Sequence, residues 1–98
     1  MIVYTLTANI DTELAAEWLQ FMKDEVIQFV QETQLTMEYR MFKVLNDNEG
    51  ETYTFQFYFK DPFVYKLFLT EHHKNFAALL NRYGHPQVAY FNTLLQQL

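Results

Sequence analysis

The chain has 98 residues, half of them hydrophobic and 18% aromatic, which suits a single domain over 1–98 with a core large enough to offset the entropy of ordering it, and excludes both a disordered segment and a division into two. Cysteine and serine are both absent and the glycines are only Gly50 and Gly84, so disulfides, thiolate metal sites, cysteine nucleophiles, Ser-His-Asp arrangements and phosphate loops are excluded. The net charge of −5 comes from Asp11, Glu13, Glu17, Asp24, Glu25 and Glu32 set against Lys23, the other charges cancelling, and without clustered Lys and Arg neither nucleic acid nor an anionic membrane surface is expected as a partner.

The opening from Met1 to Ile10 has no basic region and meets Asp11 before a signal-length apolar run develops, and no later run reaches membrane-spanning length. The expectation is a soluble, cytoplasmic protein. Residues 2–10 alternate, with Ile2, Tyr4, Leu6, Ala8 and Ile10 on one side, the period of a half-buried strand. Asp11 is a suitable N-cap, and a helix is expected from about Thr12, with an apolar stripe through Leu14, Ala15, Trp18, Leu19, Met22, Val26, Phe29 and Val30.

From Leu35 the period returns to two. Leu35, Met37, Tyr39 and Met41 face one way, and Thr36, Glu38, Arg40, Phe42 and Val44 the other. Asn46-Asp47-Asn48-Glu49-Gly50 supplies turn formers and joins this second strand to a third as a hairpin, in which Tyr53, Phe55, Phe57 and Phe59 make one wholly aromatic face. Asp61-Pro62 reads as N-cap and first helical position. The second helix carries a stripe through Val64, Leu67, Phe68, His72, Phe76, Leu79, Leu80 and Tyr83, and is stopped by Gly84 and Pro86. Gln87 to Leu95 makes a fourth strand. The order β-α-β-β-α-β implies an α+β, ferredoxin-like fold, a four-stranded antiparallel sheet with two helices on one face.

The helices cover one face of the sheet, so functional content lies in what covers the other. Val3, Thr5, Thr7, Asn9, Arg40, Phe42, Val44, Thr54, Gln56 and Tyr58 point there, together with either Val88, Tyr90, Asn92 and Leu94 or Ala89, Phe91, Thr93 and Leu95. Aromatic and aliphatic groups mixed with Thr, Asn, Gln and Arg suit an interface better than open water. A twofold homodimer packing sheet on sheet through this face is expected, the alternative adding a cavity between the sheets for a small apolar ligand.

Glu71-His72-His73 is the densest run of potential metal ligands, but neighbouring helical residues point about 100° apart and no second ligand lies three or four positions away. No metal site is expected. His72 falls on the apolar stripe as a core imidazole hydrogen-bonded to a neighbour, and Trp18 is a core anchor whose indole N–H needs a nearby acceptor. Glu38 and Arg40 share a face and either pair with each other or meet a ligand. The candidate cavity residues are Asn9, Glu38, Arg40, Gln56, Tyr58 and His72.

The segments Met1-Ile2-Val3-Tyr4 through Asn9-Ile10-Asp11, Glu17-Trp18-Leu19 with Met22-Lys23, Tyr39-Arg40, Glu71-His72 and Ala89-Tyr90-Phe91 together resemble an uncharacterised bacterial family of about hundred-residue proteins. The likeness extends over nearly the whole chain. That family is similar to the dimeric α+β barrel superfamily, which includes antibiotic-biosynthesis and haem-degrading monooxygenases. The resemblance implies a dimer with facing sheets and no assigned reaction. Haem-degrading members use an Asn, a Trp and a His. Here Asn9, Trp18 and His72 are present, but Trp18 falls on a different element and no run matches around His72, so haem is not carried over and no cofactor is expected. The function expected is a non-catalytic homodimeric small-molecule-binding or interaction module, the alternative being a cofactor-light monooxygenase or isomerase acting on a small hydrophobic substrate between the sheets.

Overall fold

The computed structural model describes residues 1–45 and 49–98. Its strands are β1 (Ile2–Ile10), β2 (Thr36–Val44), β3 (Glu51–Phe59) and β4 (Val88–Gln96). Helices α1 (Thr12–Phe21) and α2 (Gln28–Glu32) are joined by a π-helical stretch, Met22–Ile27, and helices α3 (Pro62–Glu71) and α4 (His73–Leu80) meet at His72. The four strands form one sheet in the order β2-β3-β1-β4, and every pairing is antiparallel. This is the ferredoxin-like βαββαβ arrangement.

Alternation in β1 places Ile2, Tyr4, Leu6, Ala8 and Ile10 in the core, and leaves Val3, Thr5, Thr7 and Asn9 half-buried on the opposite face. In β3 the same parity buries Phe55, Phe57 and Phe59. These rings meet the helices edge to face, as in Trp18 on Phe55 (5.7 Å between centroids) and Phe57 on Phe76 (6.3 Å), the geometry favoured by the aromatic quadrupole. Fully burying each such side chain contributes about 1.5–3 kcal/mol.

Asp11 does stand at the N-cap of α1, but its side chain makes no capping bond. At the second helix pair the cap is complete, the Asp61 carboxylate accepting a hydrogen bond from the Val64 amide at 2.9 Å with Pro62 opening the helix. The first helical layer buries Ala15, Trp18, Phe21, Met22, Val26, Ile27 and Val30, adding Phe21 and Ile27 to the expected stripe. Trp18, Met22, Val26 and Val30 are four residues apart. In an α-helix each such step overshoots one turn by about 40°, and the wider turns of the π-helical stretch absorb the drift, so all four stay on the sheet.

Two expectations for β2 and the second helix are corrected. Strand β2 does not alternate from end to end, because the register shifts between Thr36 and Glu38. The bulge brings Thr36 opposite Phe59, on the helix side, and leaves Met37 61% exposed. The second helix is not continuous either. It breaks at His72 (φ −127°, ψ −15°), which ends α3 and begins α4. The hairpin turn expected at 46–50 lies outside the described residues at its first three positions. Gly50, which is described, has φ +76°, a left-handed conformation that glycine adopts without steric cost.

Candidate functional site

Among the described residues no helix lies on the side of the sheet occupied by Val3, Thr5, Thr7 and Asn9, and pairing fixes what surrounds them. Across β2, β3, β1 and β4 the residues fall into four rows, Glu38–Tyr58–Val3–Leu95, Arg40–Gln56–Thr5–Thr93, Phe42–Thr54–Thr7–Phe91 and Val44–Thr52–Asn9–Ala89. The parity of β4 is thereby resolved. Ala89, Phe91, Thr93 and Leu95 belong to the open face, whereas Val88, Tyr90 and Asn92 face the helix layer opposite Ile10, Ala8 and Leu6.

The two central strands carry a ladder of short polar groups. The Thr7 and Thr54 hydroxyls are 3.2 Å apart, and the Asn9 amide donates to Thr52 Oγ1 at 2.9 Å. The same amide nitrogen donates to the Glu49 carbonyl at 3.3 Å, so Asn9 holds the β2–β3 connection as well as lining the face. Tyr58 donates its hydroxyl hydrogen to Gln56 Oε1 at 2.6 Å. Thr5 is the exception. Its Oγ1 is sealed from solvent and has no hydrogen-bond partner among the described residues, although buried hydroxyls normally find one.

The outer strands supply the charges and the larger apolar groups. Arg40 Nη2 lies 3.4 Å from Glu38 Oε1, and the guanidinium sits over the Tyr58 ring, 5.4 Å from its centroid. Phe42 and Phe91, in the same row on opposite edges, are 46% and 63% exposed, and Leu95 is 46% exposed.

Five of the six candidate residues, Asn9, Glu38, Arg40, Gln56 and Tyr58, therefore share one surface. His72 does not. It lies in the helix layer, on the far side of the sheet, where its ring meets Phe29 edge to face at 6.2 Å and tilts on Phe68 at 6.1 Å. Both helices pack on the same face of the sheet, so a residue on the inward stripe of either one reaches that face and not the open one. Conversely, Thr5, Phe42 and Phe91 rank with the candidates once register is known. Alternation alone already put Thr5 and Phe42 on this face; strand pairing adds Phe91 and sets it in one row with Phe42.

Trp18 is fully buried and donates its indole N–H to the Tyr90 hydroxyl at 3.0 Å. A broad cleft of about 950 Å³ lies on the helix side, lined by Glu17, Gln20, Phe21, Asp24, Glu25, Arg82 and Tyr83. Its polar groups serve one another, through Tyr83 to Glu17 at 2.8 Å, Gln20 to Asp24 at 2.9 Å, and Arg82 to Glu25. The Glu17 carboxylate pushes the Tyr83 phenol above its ordinary range, with burial adding to this. At the β2–β3 edge, Tyr53 donates to Glu51 at 2.6 Å. That bond pushes the Tyr53 phenol up to about 12 and holds the Glu51 carboxyl below its usual range, with Lys43 also lowering it. Among the described residues no group of three or more His, Cys, Asp or Glu is placed to hold a metal ion, and no helix is long and apolar enough to cross a membrane.

Solved structures place this architecture among known folds. The chain is similar to an antibiotic biosynthesis monooxygenase (TM-score 0.65, 16% identity, covering 100% of this chain and 99% of the other). It is similar to SnoaB, a cofactor-independent oxygenase from Streptomyces nogalater (TM-score 0.64, 10% identity, 99% and 92% covered). A dimeric ferredoxin-like protein from an uncultured marine organism is also similar (TM-score 0.59, 12% identity, 96% and 92% covered). At these identities the likeness establishes the fold alone. No curated protein matches the sequence. The family model that matches does so over residues 1–98, and the chain accordingly belongs to the family described as Domain of unknown function (DUF4286).

Proposed function

We propose that this protein is a non-catalytic homodimeric binding module, in which the open sheet faces of two copies meet and enclose space for a small molecule. The observation that carries the reading is the face itself, where exposed Phe42, Phe91 and Leu95 border an uncharged ladder of Thr, Asn and Gln. Four strands of nine residues span roughly 30 Å by 19 Å, about 570 Å², which is below the roughly 800 Å² that one partner contributes to a standard interface and within the range of smaller ones. The dimeric ferredoxin-like protein of similar fold supports a second copy as the occupant.

The likeness to a cofactor-independent oxygenase raises a catalytic alternative. The groups on the face favour binding over catalysis. With His72 on the other side of the sheet, the carboxylate on the face among the described residues is Glu38, at a corner and paired with Arg40. Tyr58 is engaged with Gln56. None stands free in the centre as a general base.

Native mass spectrometry with sedimentation velocity tests the reading. The expected species has twice the 11.8 kDa chain mass, and a monomer across the micromolar range sinks it.

A further inference from the structure

We infer that the space between the facing sheets takes an uncharged molecule bearing a hydroxyl or carbonyl, seated on a floor of Thr and Gln side chains between aromatic walls. The inference rests on the dimer reading above and adds to it the class of ligand.

Shape comes first. In the row Phe42–Thr54–Thr7–Phe91 the two outer residues are large and exposed, and the two inner ones are short. Strand axes β2 and β4 are three spacings apart, roughly 14 Å, so the rings flank a trough whose floor is the Thr7–Thr54 pair. A second copy laid over it converts the trough into a closed slot with hydroxyls above and below. The slot admits a flat ring or an extended chain.

Charge decides the class. The floor strands present Thr, Asn, Gln, Tyr and Val and no ionised group. The cation of the face, Arg40, is already engaged by Glu38 and lies over the Tyr58 ring. An anionic ligand would lose its hydration without gaining an unpaired cation, and a cationic one would find no free carboxylate.

Hydrogen bonding then separates a polar neutral molecule from a hydrocarbon. Thr7 with Thr54, Asn9 with Thr52, and Tyr58 with Gln56 each have a partner, while the Thr5 hydroxyl, at the middle of β1 between Gln56 and Thr93, has none among the described residues. That hydroxyl is sealed from solvent in the single chain, so it meets an atom from outside by turning to another staggered χ1 position. A ligand with one hydroxyl or carbonyl meets that need, and a hydrocarbon leaves it unmet.

Three probes with the same fused ring test this at neutral pH by equilibrium dialysis against the purified protein, with sedimentation velocity run on the same samples. They are naphthol, neutral with one hydroxyl, naphthoate, an anion, and naphthalene, which has no polar group. Naphthol is expected to bind the dimer at least about tenfold more tightly than naphthoate. Thr5→Val should weaken naphthol roughly five- to tenfold, the worth of one neutral hydrogen bond, while leaving naphthalene unchanged. Should Thr5→Val not fold, as judged by circular dichroism, Gln56→Leu is read in the same way. A dimer that binds none of the probes, that prefers naphthoate, or whose naphthol affinity ignores these substitutions overturns the ligand class while leaving the dimer intact. A monomer overturns the reading beneath it, and the two failures are thereby distinct.

Discussion

Tyr4 is a phenol held inside an aromatic cluster, 9% exposed, stacked on Tyr65 at 6.4 Å and edge-on to Phe76 at 6.0 Å. Burial pushes its hydroxyl up to about 12, and the neighbouring Tyr65 adds to this. Below the ordinary tyrosine value of about 10 both the folded and the unfolded chain keep the proton, and the stability is fully present. Above it the unfolded chain ionises while the folded one cannot, so stability is lost as pH rises from about 10 toward 12. Urea denaturation between pH 9 and 12 should show this fall in the native protein and a shallower one in Tyr4→Phe, with Tyr53 supplying part of the residual slope. Identical slopes would show that Tyr4 is not responsible. The burial of Tyr4 was legible in the alternation of residues 2–10, and so was the need of Trp18 for an acceptor. That the acceptor is Tyr90, 72 positions away, was not, since it depends on which side of β4 faces inward.

At the scale of elements, the turn glycine and the irregular helix behave differently. Gly50 has φ +76°, and a Cβ added there would lie 2.6 Å from the Ile10 carbonyl oxygen. That contact is with backbone, which cannot swing aside. Gly50→Ala should therefore destabilise the fold by about 1–3 kcal/mol, the range for a strained backbone position, read as a lower urea midpoint at unchanged slope. A midpoint equal to that of the native protein would mean that the β2–β3 connection relaxes freely. The conformation of Gly50 could be anticipated from its place among turn formers. The π-helical stretch could not, because the four-residue spacing from Trp18 to Val30 reads as an ordinary stripe until drift over three steps is considered. The bulge beside Met37 was equally hidden. Local alternation continues through it, and only pairing with Phe59 and Tyr58 shows where the parity slips.

Viewed whole, the molecule is two-sided, with helices packed on one face of the sheet and Phe42, Phe91 and Leu95 left exposed on the other. If the open faces meet, a charge at Phe91 would be buried without a partner in the pair yet sit in water in the single chain. Phe91→Asp should therefore shift the protein from dimer to monomer in sedimentation velocity. The far-ultraviolet circular dichroism should be retained, because a residue 63% exposed supports little of the core. A dimer that survives the change would place the contact elsewhere.

The sequence by itself determined the order of elements, the cap at Asp61, the aromatic core face of β3 and the existence of a second, uncovered face. Each follows from period, capping chemistry or turn residues within a few positions of one another. Tertiary structure alone decided which side of β4 joins that face, that Phe42 and Phe91 stand in one row, and that Thr5 has no hydrogen-bond partner among the described residues. Those are relations between residues dozens of positions apart, set by strand register and helix packing, and no local pattern encodes them.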